Sequence, residues 1–165
     1  MRGYETVVDM ITIVMSSAIA ADPQRVWRAL TIPDECIAWD EHLLSAVDPM
    51  SDYPSPGETI RWRYQMGSVP ILMKDHPIDV VPGRKLHSKV TLGPVRFEQT
   101  FTLSLEHDSM GENEASKTLL GMKVIASNSA AVMGAVVDRF EIRRITIDRV
   151  DATLRAVTKW CEAAE

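Results

Sequence analysis

The chain has 165 residues, of which 45% are hydrophobic and 25% charged. These proportions exclude whole-chain disorder, and the length is that of one domain, read here as spanning residues 1–165. The net charge of −5, from 18 basic and 23 acidic side chains, supplies no excess positive field to draw in phosphates, so no nucleic-acid partner is expected.

Ile11 to Ile19 alternates and predicts a strand, with Ile11, Ile13, Met15, Ser17 and Ile19 on one face. Asp22-Pro23 reads as an N-cap followed by proline at the first helical position, and the helix continues from Gln24 to Leu30 with Val26, Trp27 and Leu30 as its apolar stripe. Ile32-Pro33 interrupts it, and a second short helix is predicted over Asp34 to Trp39. Leu43 to Val47 is a short strand. Asp48 to Gly57 holds three prolines and a glycine in ten residues and is a loop.

Glu58 to Met66 alternates, with Ile60, Trp62, Tyr64 and Met66 on one face and Arg61, Arg63 and Gln65 on the other. Gly67-Ser68 is a hairpin turn, and Val69 to Val81 is an extended segment in which Pro70 and Pro77 suit an edge or irregular strand. Pro82-Gly83 marks a turn before the strand Lys85 to Leu92, which Gly93-Pro94 ends. Val95 to His107 is a long strand with Val95, Phe97, Gln99, Phe101, Leu103 and Leu105 on one face. A polar turn over Asp108 to Asn113 leads to a last strand, Glu114 to Ala126. From about Ala130 the period lengthens: Val136, Phe140, Arg143, Ile147, Val150, Leu154, Val157 and Cys161 recur at helical steps. The expected fold class is α+β: a curved antiparallel sheet of six or seven strands wrapped around a long C-terminal helix, with two short helices after the first strand.

Cys36 and Cys161 form no disulfide framework and are expected to stay reduced, in a cytoplasmic setting. His42, His76, His87 and His107 have no helical metal-ligand spacing and no CxxC occurs, so neither a metal site nor a cofactor is expected. Met10 to Ala21 carries Glu5 and Asp9 upstream and reads as a strand rather than a signal peptide. Thr118 to Val137 contains Lys123, Ser127, Asn128 and Ser129, a poor bilayer span, so no integral membrane association is expected.

The element order resembles the helix-grip fold of the START-like (SRPBCC) superfamily, which includes polyketide cyclase/dehydrase-like and birch-pollen-allergen-like proteins. The resemblance is sharpest at Ser17-Ala18-Ile19-Ala20-Ala21-Asp22-Pro23-Gln24-Arg25-Val26-Trp27-Arg28-Ala29-Leu30, continues at Pro33, Trp39 and Pro82-Gly83-Arg84-Lys85-Leu86, and includes the strand Phe97 to Leu103. It covers essentially the whole chain. It implies a mainly apolar cavity between helix and sheet, and three kinds of function. The first is binding of a small hydrophobic or aromatic molecule, lipid- or polyketide-like. The second is a polyketide cyclase or dehydratase-like activity, and the third a protein-interaction module. Homodimerisation is compatible with all three.

Trp62, Tyr64, Phe97, Gln99 and Phe101 would give aromatic cavity walls with one orienting amide, or ordinary sheet core. Met122 would add an adaptable wall, or fill the core. Arg143, on the apolar stripe of the long helix, would reach a ligand oxygen at one cavity end, or snorkel to solvent. Cyclisation or dehydration needs a base and an oxyanion donor; His76 is the base candidate, with Tyr64 and Arg61 as donors. Against this, alternation puts Arg61 and His76 among residues of a solvated outer face.

Overall fold

The computed structural model describes residues 10–93, 95–106, 117–127, 131–132, 135–136 and 139–163. The first strand, β1 (Met10–Ile19), is followed by helices α1 (Pro23–Thr31) and α2 (Pro33–Trp39). Six strands follow: β2 (Leu43–Ala46), β3 (Ile60–Met66), β4 (Val69–Val81), β5 (Lys85–Leu92), β6 (Val95–Glu106) and β7 (Lys117–Ser127). Two short strands, β8 (Ala131–Val132) and β9 (Ala135–Val136), precede the long helix α3 (Arg139–Ala163).

The seven strands form one antiparallel sheet in the order β1-β7-β6-β5-β4-β3-β2. Strands β1 and β2 are consecutive in sequence yet lie at opposite edges, so α1 and α2 carry the chain across the sheet between them. Asp22 caps α1, its carboxylate accepting from the Arg25 backbone N–H at 2.9 Å, and proline opens both helices. The half-buried Arg25 and Glu35 side chains tie the two helices together at 3.0 Å.

Period-two alternation decides which side chains meet α3. Ile60, Trp62 and Tyr64 on β3, Leu86, Ser88, Val90 and Leu92 on β5, and Leu120, Met122, Val124 and Ala126 on β7 are buried on the concave face. At β4 the register shifts between Pro77 and Asp79, so that Met73, Asp75 and Pro77 point inward before the bulge and Val80 packs on the core after it. Strand β4 is therefore an interior strand despite its two prolines. Between β4 and β5, Gly83 has φ +74° and the Arg84 N–H bonds the Val81 carbonyl at 2.9 Å, a turn in which proline then glycine are the fitting residues.

The long helix starts at Arg139 rather than near Ala130. Ala131–Val132 and Ala135–Val136 pair with each other antiparallel instead. Two Ala-Val pairs four residues apart satisfy a helical and a hairpin pattern equally, and periodicity alone does not arbitrate over so short a stretch. The predicted turn Asp108 to Asn113, the strand start at Glu114, and Met133 and Val137 lie outside the described residues.

Leu120 is fully buried at the centre of β7, opposite Ser17 of β1 and Leu103 of β6. Leu120→Ala is expected to lower unfolding free energy by about 2–5 kcal/mol, the range for a large-to-small change in a core that cannot collapse. Urea denaturation monitored by circular dichroism would read this as a fall in midpoint at unchanged slope.

Candidate functional site

Helix α3 does not cover the whole concave face. It packs against β1 and β7 and touches α1 and α2. Val150, Leu154, Val157 and Cys161 make that contact and are buried. Its C-terminal half is pinned by polar contacts as well: Ser17 and Thr158 hydroxyls share a hydrogen bond at 3.0 Å, and the Ala20 N–H donates to Glu162 at 3.0 Å. The Arg25 guanidinium of α1 sits 5.8 Å from the Trp160 ring centroid.

Opposite β3 to β6 the helix stands away from the sheet, and a cavity of about 1120 Å³ opens there. Its sheet-side wall includes Leu92, Val95, Phe97, Val124 and Ala126; its helix-side wall includes Ile142, Thr146, Ala152, Thr153 and Ala156. Small side chains on this side of α3 leave space where leucines would have filled it. A second, closed-in space of about 60 Å³ continues toward α2 and the loop before β3, sharing Trp39, Asp40, Arg149 and Thr153 with the first.

Arg149 stands at the junction. Its Nη1 donates to the Tyr64 hydroxyl at 3.0 Å, across the gap from α3 to β3. Its guanidinium carbon lies 5.0 Å from the Phe97 ring centroid and 5.8 Å from that of Tyr64. Burial pushes the Tyr64 phenol up, with Arg149 opposing, so Tyr64 is a neutral hydroxyl at physiological pH. Asp40, at the C-terminal end of α2, accepts from the His42 backbone N–H at 3.0 Å. Burial raises its pKa above the ordinary aspartate value, while that hydrogen bond and Arg149 hold it down.

The closed end is polar. The Tyr53 hydroxyl donates to Asp75 Oδ2 at 2.7 Å, and its ring packs edge-on against Trp62 at 5.7 Å between centroids. Burial pushes the Asp75 carboxyl up. The Tyr53 bond and the neighbouring Ser88 hydroxyl and Trp62 indole favour its charged form, without overcoming burial. Burial pushes the Cys36 thiol far above its ordinary value too, which makes it a packing residue rather than a nucleophile.

Of the residues singled out by the sequence, Trp62, Gln99 and Phe101 line the closed end and Tyr64 and Phe97 the larger space, so the structure gathers these five around one connected cavity. Met122 is buried in the core and lines neither part. His76, Tyr64 and Arg61 are not brought together. Arg61 is exposed on the opposite face of β3 and pairs with Asp48 at 2.6 Å, while His76 Nδ1 meets the Thr59 hydroxyl at 2.9 Å. Arg143 is exposed and lines neither part of the cavity; Arg149 and the exposed Arg155 line the larger space, and Arg149 lines the closed end as well. Arg143 lies seven residues, two turns, before Val150 and so on the same stripe as Thr146 and Val150, yet it is exposed at that end of α3.

The sequence marks Tyr53 only as a lid residue at an entrance and Asp75 only as a poor partner for His76, and it leaves Asp40 and Arg149 unmarked. Asp75 was legible: the alternation that turns His76 outward turns Asp75 inward with Met73. Arg149 carries a fainter signal, the run Thr146, Arg149, Ala152, Thr153, Ala156, where small and polar residues sit beside an apolar stripe.

No protein-family model and no curated protein matches the sequence. Solved structures match along nearly the full chain. A START superfamily protein from Mycobacterium smegmatis is 10% identical with a TM-score of 0.68, covering 92% of this chain and 97% of that one. Ara h 8.0201 is 8% identical with a TM-score of 0.68, covering 94% and 100%. The di-domain ARO/CYC BexL from the BE-7585A biosynthetic pathway is 17% identical with a TM-score of 0.62, covering 93% of this chain and 49% of that one. The fold is the START-like helix-grip fold. Among the described residues no helix is long and apolar enough to cross a membrane, and no group of three or more histidine, cysteine or acidic side chains is placed to hold a metal ion.

Asp75 supplies a test of the closed end. Its folded pKa is raised, so the folded chain keeps the proton over a range where the unfolded chain has released it. The carboxyl's contribution to stability is therefore full below the ordinary aspartate value of 3.8 and is lost as pH rises through the raised value. Asp75→Asn keeps an acceptor for Tyr53 and does not titrate. Chemical denaturation across pH 4 to 8 is expected to show the variant gaining stability relative to wild type as pH rises; parallel curves would contradict the buried, proton-holding carboxyl.

Proposed function

We propose that this protein binds a small hydrophobic or aromatic molecule, lipid- or polyketide-like, in the cavity between α3 and the sheet. The observation that carries the reading is that cavity of about 1120 Å³, apolar along β5, β6 and β7 and joined at Arg149 to a polar closed end. Ligand sites are concave and mostly apolar, with a few polar groups that orient the ligand, and this space has that division of labour. The likeness of the fold to a START superfamily protein and to an ARO/CYC protein supports the same reading. The cyclase or dehydratase reading draws less support from the geometry, because only Tyr64 of its residue set lies in the cavity.

An uncharged fluorescent probe, N-phenyl-1-naphthylamine, is expected to brighten on binding and to be displaced by apolar competitors. Ala156→Trp, which puts an indole into the cavity from α3, is expected to weaken probe binding about tenfold, on the scale of the ~1–3 kcal/mol that overfilling a packed space costs. Equal probe affinity in the variant, with an unchanged melting temperature, would move the probe out of this cavity.

A further inference from the structure

Four buried side-chain polar atoms that have no hydrogen bond of good geometry among the described residues belong to residues lining the closed end: Trp62 Nε1, Asp75 Oδ1, Gln99 Oε1 and Arg149 Nε. A fifth such atom, Trp160 Nε1, lies along the larger space. Buried polar atoms are nearly always paired, so four around one space of about 60 Å³ is a concentration that ordinary packing does not produce. The set is mixed. Trp62 and Arg149 offer N–H donors, Gln99 offers an acceptor, and the Asp75 carboxyl accepts when ionised and can donate when it holds its proton. The Trp62 indole and Ser88 hydroxyl stand beside Asp75, but neither completes a well-aligned bond to Oδ1.

We propose that the closed end is a head-group subsite for a hydroxyl, so that the ligand is an apolar molecule carrying a phenol or alcohol at the end that enters first. This rests on the binding reading above and names the ligand class for that site. A hydroxyl donates one hydrogen bond and accepts two, and so can serve Gln99 or Asp75 and Arg149 or Trp62 at once. It meets either orientation of the Gln99 amide. A carboxylate only accepts and would face two acidic side chains, Asp75 and Asp40, within the same lining. An ammonium only donates and would face Arg149. The space itself suits a small group: about 10–15 Å³ measured this way admits one water, and the closed end holds a few atoms rather than a ring system.

The Tyr53 loop fixes this geometry. Tyr53 N–H bonds the Met50 carbonyl at 3.2 Å and Gly57 N–H the Pro77 carbonyl at 2.9 Å, holding the phenol over Asp75. Tyr53 thus closes the inner end of the cavity, and a ligand enters from the side of Met66 and Ile145, which line the larger space and are exposed.

The test is competition of three matched ligands, 4-octylphenol, 4-octyltoluene and 4-octylbenzoate, against N-phenyl-1-naphthylamine. The phenol is expected to bind about tenfold more tightly than the toluene of the same shape, the usual worth of satisfying buried polar groups. The benzoate is expected to bind no better than the phenol. In Gln99→Met and Arg149→Met the ratio of phenol to toluene affinity, read within each folded variant, is expected to fall toward one. A ratio of one in the wild type would overturn the proposal and leave the closed end to water. Tightest binding of the benzoate would overturn it in favour of an anion at Arg149. A ratio unchanged in both variants would place the hydroxyl elsewhere and overturn it too. Failure of the probe itself to bind would be a different result, removing the cavity reading and this proposal together.

Discussion

Helix α3 is fastened at one end. Val150, Leu154, Val157 and Cys161 bury against the β1–β7 side of the sheet, and Thr158, Glu162 and Trp160 add polar and cation–π contacts to β1 and α1. A straight helix cannot follow a strongly curved sheet along its whole concave face. Where it leaves the sheet, opposite β3 to β6, apolar side chains on both walls remain without each other. The order β1-β7-β6-β5-β4-β3-β2 makes this separation inevitable: the edge that holds α3 and the edge formed by β2 are six strand spacings apart. At about 4.8 Å per spacing that is nearly 30 Å, far more than the 10–12 Å width of a helix can span.

Arg149 bridges that gap. Its bond to Tyr64 joins the free-standing side of α3 to β3, and the same guanidinium lies over Phe97. An arginine is suited to the place because its flat face stacks on aromatic rings while its edges still donate hydrogen bonds. This use leaves Nε unmatched among the described residues, in a residue that lines both parts of the cavity. The closed end thus inherits its polarity from four separate elements: α3 through Arg149, β3 through Trp62, β4 through Asp75 and β6 through Gln99.

Much of this organisation was legible in the sequence. Strand β4 and strand β5 run between the residues that alternation and turn chemistry mark, and the Asp22-Pro23 signal places α1 within a residue of its start. Alternation also placed Trp62 with Tyr64, and Phe97 with Gln99 and Phe101, on shared strand faces, without telling which faces are concave. What it could not supply was how far α3 stands from each strand, because periodicity reports which face of an element is inward and not what lies opposite. That gap explains Arg143 and Arg149. Arg143 lies on the apolar stripe, two turns before Val150, and Arg149 about 100° to one side of it, so which of them meets a cavity depends on what stands opposite each. It also explains why Asp75 was set beside His76 as a failed partner rather than with Trp62, since the pairing that brings β3 and β4 together is a long-range fact.

The location of the unmatched polar atoms is the last constraint. Each buried donor or acceptor without a partner costs about 1–3 kcal/mol, so a core built for stability alone would carry leucine or methionine at Gln99 and at Asp75. The outer face shows how the same chain treats polar groups elsewhere: Arg61 is matched with Asp48, Lys85 with Asp79 and His87 with Glu98. Matching is therefore the rule for these outer-face pairs, and four of the five unmatched buried atoms among the described residues belong to the lining of the small space where the large apolar cavity ends. Sites that break local rules of satisfaction are where function is expected to reside. Here the breach lies where a ligand's polar end would meet it, with the apolar body held along β5, β6 and β7 behind.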